Sequence, residues 1–165
     1  MALILETGEG LPDAETLVGL DEVRAFASSR GRLVSDDDTV LEPQVRIAHD
    51  YLLANENRLM GCRAVEGQAL PYPRSGLYVL GFSVDDDVIP QAVKNAVCQL
   101  VIEGLDRDLL PSQDARVVIQ EAVGPISTTY ANSGTTTANP VLPRVEAFLG
   151  PLLKNQGYSL RSERA

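Results

Sequence analysis

His49 is the only histidine of the chain and stands beside Asp50, the residue types from which a general base or a nucleophile-activating dyad is built. A working dyad needs a nucleophile and an orienting acid that converge on the ring, and the spacing supplies neither. Neighbours in sequence point to different parts of a helix surface, so His49 reads as a surface or interface residue. Two runs, Asp36-Asp37-Asp38 and Asp85-Asp86-Asp87, offer the oxygen ligands that a divalent cation takes. They lack the alternation and glycine of a calcium loop, and each precedes an expected helix start, so capping and solvation account for them. Neither a metal nor a cofactor is expected. The hydroxyls between Ser127 and Thr137 have no base within reach by sequence and fit a strand end and linker. Gly8 and Gly10 suggest a phosphate loop, but no Lys-Ser or Lys-Thr follows and no strong strand leads in. Cys62 and Cys98 belong to no CxxC pair, which argues against zinc and for ordinary reduced thiols. No catalytic constellation emerges, and a non-enzymatic role is expected.

The elements that would carry these residues are short helices between marked turns. Glu6 to Asp13 reads as an extended lead. Asp21 opens a helix with Val23, Phe26 and Ala27 on one face, and Gly31 stops it. Thr39 with Glu42 forms a capping-box pattern, Pro43 lies near the first turn, and Leu41, Val45, Ala48 and Leu52 mark an amphipathic helix. Prolines 71 and 73 favour a rigid extended loop that docks on the body through Leu70, Tyr72, Pro73 and Arg74. At Ile89-Pro90 begins the strongest helix, marked by Ile89, Val93, Val97, Leu100 and Leu105. From Arg116 the β-branched residues predict two antiparallel strands meeting near Gly124-Pro125, and Pro143 introduces a last helix with Val145, Phe148 and Leu149. The fold class expected is mainly α, a small helical bundle with an antiparallel β-hairpin and an extended C-terminal tail, α+β. Residues 1–115 form the body with its lead, 116–138 the hairpin and linker, and 139–165 the last helix and tail, within one structural domain.

The chain has 165 residues, 44% hydrophobic and 22% charged, enough for a real core. Its net charge of −9 opposes a partner covered in phosphates. The basic residues are dispersed and only 5% of the chain is aromatic, so stacking platforms for single strands are scarce. Met1 to Glu6 has no basic flank and no long apolar region follows, so neither a signal peptide nor a membrane span is expected.

Several short motifs, in order, resemble the head-to-tail connector (adaptor) proteins of tailed bacteriophages. They are Glu6-Thr7-Gly8, Gln68-Ala69-Leu70 with Pro73-Arg74, Ile89-Pro90 with Val93 and Ala96, Val123-Gly124-Pro125 with Tyr130, and Pro151-Leu152-Leu153. Tyr72 stands where that family usually has tryptophan. Similar proteins often carry the label DnaT-like single-stranded-DNA-binding protein, a role that the charge and the shortage of aromatics oppose. The resemblance implies a ring of about twelve copies in the virion neck, assembled in the host bacterial cytoplasm. The ring docks on the portal protein and offers a surface to the next tail or neck component, and genomic DNA passes through without specific binding. Leu152, Leu153, Tyr158 and Leu160 are then expected to dock on the portal or a neighbour, their apolar spacing standing out in a polar tail. Val117, Ile119, Ile126 and Tyr130 of the hairpin are a second expected contact, because an isolated strand pair is marginal in water. The alternatives are a single-strand-binding replication accessory protein and a different neck component, a stopper or tail-completion protein.

Overall fold

The computed structural model describes residues 3–111, 120–123, 126–129 and 142–154. The body is an α+β arrangement in which four helices form a bundle and short antiparallel strand pairs decorate it. Helix α1 is Leu20–Ser28, α2 Asp38–Ala54, α3 Gln91–Asp106 and α4 Pro143–Leu149.

Helix α3 is the centre of the bundle and packs against α1, α2 and α4. Every residue from Ala96 to Ile102 is buried, so this stretch is enclosed on all faces. A surface helix would show one apolar stripe, and a helix enclosed by neighbours has no polar face to spare. Each fully buried Val, Leu or Ile here contributes about 1.5–3 kcal/mol. Leu105, expected on the buried stripe, is exposed, because the enclosing helices no longer cover α3 at its last turn.

Helix α2 buries Leu41, Val45, Ala48, His49, Tyr51 and Leu52. Its cap is Asp37, whose carboxylate accepts from the Thr39 amide at 2.9 Å and the Thr39 hydroxyl at 2.7 Å. The Thr39–Glu42 capping box is therefore replaced by an Asp37 cap, and the helix begins at Asp38. Pro43 consequently lies inside the helix, on its exposed side, where the carbonyl of Thr39 loses its helical donor to solvent. Arg24 of α1 grips the same acidic loop, bonding Asp38 Oδ1 at 2.5 Å and the carbonyl of Asp36 at 3.0 Å. The second aspartate run does not cap α3: Pro90 holds the N-cap position, and Asp86 instead accepts from the Ser75 hydroxyl at 2.8 Å.

Between α2 and α3 come a 3-10 turn, Glu56–Arg58, and four two-residue strands. Strand β1 (Cys62–Arg63) pairs with β2 (Arg74–Ser75), and β3 (Tyr78–Val79) with β4 (Phe82–Ser83). Strands β5 (Gln120–Val123) and β6 (Ile126–Thr129) pair in register Val123 opposite Ile126, the hairpin expected around residues 124–125. Helix α4 and the turn Gly150–Leu152 close the bundle over α3. The chain after α4 is tied to the first 3-10 turn: the Met60 amide donates to Leu152 O at 2.9 Å, and the Lys154 amide to Arg58 O at 2.8 Å. Arg58 and Glu146 add a two-pronged ion pair at 2.7 and 2.8 Å. Among the described residues no helix is long and apolar enough to cross a membrane.

Candidate functional site

The proline loop is built around Arg74, which is almost fully buried. Its guanidinium donates to Met60 O at 2.7 Å, Gly61 O at 2.8 Å, Pro71 O at 3.1 Å and Glu56 Oε1 at 3.1 Å. A planar fork of five donors can satisfy that many carbonyls at once, which lysine cannot. Arg63 reaches the same Glu56 carboxylate at 2.7 and 2.8 Å. The bond from Arg63 is the main cause that holds Glu56 below the usual carboxylate range. Gln68 completes the loop from inside, donating to Leu70 O at 2.7 Å and Pro73 O at 3.0 Å. Leu70, Tyr72, Pro73 and Arg74 are thus all buried in the chain's own body. Burial pushes the Tyr72 phenol up to about 12, and its hydroxyl has no hydrogen-bond partner among the described residues.

The glycine-rich lead is a structured anion cradle. The amides of Gly8, Gly10 and Leu11 donate to the Glu6 carboxylate at 2.8, 2.9 and 2.7 Å. Burial pushes this carboxyl up, but the amide bonds of Gly10, Gly8 and Leu11 outweigh it and hold Glu6 below its ordinary value. Gly8 and Gly10 both have positive φ, and a Cβ at Gly8 would collide with the carbonyl of Asp87. The loop therefore does cradle an anion, and that anion is its own.

His49 is buried, not on the surface. Its Nε2 accepts from the Leu17 amide at 3.0 Å and its Nδ1 contacts Val45 O at 2.8 Å, so Nδ1 carries the proton. Both nitrogens are committed to backbone, as a buried orphan amide requires. Burial lowers its pKa. A cavity of about 300 Å³ borders the ring together with Arg46, Asp50 and Glu15, but no ring nitrogen is free to act as a base there. Among the described residues no group of three His, Cys, Asp or Glu side chains could hold a metal ion. Cys62 is an exposed free thiol and Cys98 a buried one, pushed by burial up to about 12.

The β3–β4 ribbon is the outstanding surface feature, and sequence reading missed it. Tyr78, Leu80 and Phe82 are 65%, 83% and 76% exposed. Tyr78 pairs with Ser83 and Val79 with Phe82, so the two aromatic rings lie on opposite faces of the ribbon. Leu80 at the tip has φ +51 and Gly81 φ +91. A two-residue turn with both residues left-handed normally takes Asn-Gly, and a leucine in that region is strained. The Leu80-Gly81 pair inside alternating apolar residues was the available signal. Its base is fixed by Val84 donating to Leu77 O at 3.1 Å and by the Ser75–Asp86 bond.

A cationic cleft lies beside the second half of α3. Arg30, Arg32, Gln99, Ile102, Arg144 and Phe148 line a cavity of about 600 Å³ between the chain after α1, helix α3 and helix α4. It continues into a second of about 370 Å³ past Glu103, Asp106 and Arg107. Arg30 lies over the Phe26 ring, 3.4 Å from its centroid, and Phe26 meets Phe148 edge to face at 6.0 Å. Arg32 pairs with Asp106 at 2.5 Å and Arg107 with Glu103 at 3.5 Å. Among the described residues, Arg30 and Arg144 have no carboxylate partner.

The residues expected to contact neighbours are thus distributed unevenly. Leu152 is fully buried and Leu153 half-buried, bridging to Leu59, so both pack within this chain. Tyr158, Leu160, Val117, Ile119 and Tyr130 lie outside the described residues, and for Ile126 the structure describes the strand pairing alone.

These features define a small, acidic, helix-centred α+β protein with a stapled proline loop, an exposed apolar ribbon and a cationic cleft. The chain matches, over residues 1–165, the family described as "Putative DnaT-like ssDNA binding protein", and it belongs to that family. No curated protein and no solved structure matches it.

Proposed function

We propose that the protein is a non-enzymatic assembly component, a structural adaptor of a tailed-phage neck. About twelve copies form a ring between the portal protein and the next tail or neck component. The observation that carries this reading is the β3–β4 ribbon, which clusters three large exposed apolar side chains within five residues. Exposed apolar surface of this kind marks a protein partner. A two-stranded ribbon gains its stability from being covered. The charge of −9 supports a channel role, since an acidic lumen repels DNA and lets it slide. Quantitative mass spectrometry of purified virus particles from the source of the sequence tests the reading. About a dozen copies per particle is the expected result, and absence from the particle refutes it.

A second reading, single-stranded-DNA binding, is favoured by the family description and by the arginine-lined cleft with Phe148 on its wall. Backbone phosphates would sit on Arg30, Arg32 and Arg144, and affinity would fall steeply with salt. The opposing argument is electrostatic, because the chain as a whole carries a net charge of −9. Titration of a fluorescent oligothymidylate at two salt concentrations separates the readings, and tight salt-sensitive binding would favour this one.

A further inference from the structure

We propose that the ribbon of one copy seats in the cationic cleft of the next, so that copies join head to tail. This inference rests on the ring reading above and names the surfaces that make the ring. The two surfaces are complementary in both chemistry and charge. The ribbon presents Leu80 and Phe82, and directly behind them Asp85, Asp86 and Asp87 are all exposed. The cleft presents Ile102, Ala147 and Phe148, rimmed by Arg30, Arg32 and Arg144. In a chain of net charge −9, a cluster of arginines around an apolar wall has an obvious counterpart in an apolar tip backed by aspartates.

The ribbon and the cleft are built from different parts of the chain. The ribbon and its acidic base precede the first turn of α3, whereas Gln99, Ile102 and Asp106 lie on its second half. The residues that fix the ribbon's base, Leu77, Ser75 and Asp86, are thus separate from those that line the cleft. A contact between two different patches of identical chains is heterologous and propagates to a ring or a filament, whereas a two-fold contact would stop at a dimer. The occupant fitted by these observations is a second copy of this chain. The opposite placement of Tyr78 and Phe82 on the ribbon lets it be gripped on both faces.

The test uses two full-length variants with exposed substitutions only. The cleft variant is Arg144→Glu with Ala147→Glu, both exposed on the α4 wall of the cleft. The ribbon variant is Leu80→Asn with Phe82→Ser. Each is checked for native circular dichroism, then examined alone and as an equimolar mixture by sedimentation velocity at low salt over a concentration series. The expected result is wild-type species larger than a dimer, and association weakened more than about tenfold in each variant alone. The mixture should recover a 1:1 heterodimer that grows no further, because it retains one working cleft and one working ribbon. Wild-type assembly without recovery in the mixture overturns the pairing of these two surfaces and leaves the ring reading standing. A wild-type chain that stays monomeric throughout overturns it too, while the copy number per particle judges the ring reading separately. Binding of a fluorescent oligothymidylate that the cleft variant alone abolishes assigns the cleft to phosphates and also overturns the proposal.

Discussion

Replacing Glu6 with glutamine should cost far more stability than a substitution in a leading loop ordinarily does. The wild-type carboxylate accepts three amide bonds of 2.7–2.9 Å, two on Oε1 and one on Oε2. A hydrogen bond to a charged group is worth about 1.5–3 kcal/mol. Glutamine keeps one acceptor oxygen and turns an NH2 group against at least one amide donor, and the bonds that remain lose their charge assistance. The expected loss is about 2–4 kcal/mol, and a loss of about 3 kcal/mol corresponds to a fall in Tm of about 6–12 °C for a chain of this size. The assay is urea unfolding followed by circular dichroism at neutral pH and again in acid. Because the folded state holds Glu6 below its ordinary value of 4.5, its contribution is full above that pH. It is lost as the pH falls through the folded pKa. The gap between wild type and Glu6→Gln should therefore narrow in acid. A neutral-pH loss below about 1 kcal/mol, or a gap that widens in acid, would refute the reasoning.

Other perturbations have equally definite outcomes. Tyr72→Phe removes a buried hydroxyl that has no partner among the described residues and should raise stability by about 1 kcal/mol in urea unfolding. His49 is held neutral by burial, with its folded pKa below the unfolded 6.5, so wild-type stability should decline as the pH falls below 6.5. His49→Gln should flatten that slope in melts taken between neutral and mildly acidic pH. Leu80→Asn relieves a left-handed leucine and should stabilise the monomer by about 1 kcal/mol while weakening self-association in the same preparation. Arg74→Lys cannot reproduce the four-acceptor fork and should cost about 2–4 kcal/mol, read as a lower urea midpoint with an unchanged slope.

The helices were legible where a stripe repeats with the helical period. Leu41, Val45, Ala48 and Leu52 predicted α2, and Val145, Phe148 and Leu149 predicted α4, because one-sided burial leaves a periodic trace. His49 was misread because its neighbour Asp50 drew attention, although its spacing of four from Val45 and three from Leu52 puts it on that same buried stripe. The cap of α2 was shifted because a capping-box pattern and an aspartate cap overlap within two residues, and only geometry decides which oxygen reaches the amide. Leu105 was placed inside because periodicity says nothing about where a neighbouring helix ends. The Glu6 cradle left no periodic trace at all. Its glycines were weighed against phosphate-binding motifs, and the possibility that the loop binds a side chain of its own has no motif to search for. The arginines of the cleft looked dispersed for a related reason: Arg30, Arg32, Arg107 and Arg144 converge only through the packing of α1 and α4 on α3.

The enclosure of α3 on every side has a mechanical consequence. A helix clamped by three others resists bending and axial rotation, so the cleft in which a neighbour's ribbon would seat keeps a fixed orientation. If copies join through those two faces, each step turns by the same angle, about 30° for closure at twelve. The stiffness of one buried helix would then limit how many copies complete a turn, and a change that loosened its packing would blur the count before it unfolded the subunit.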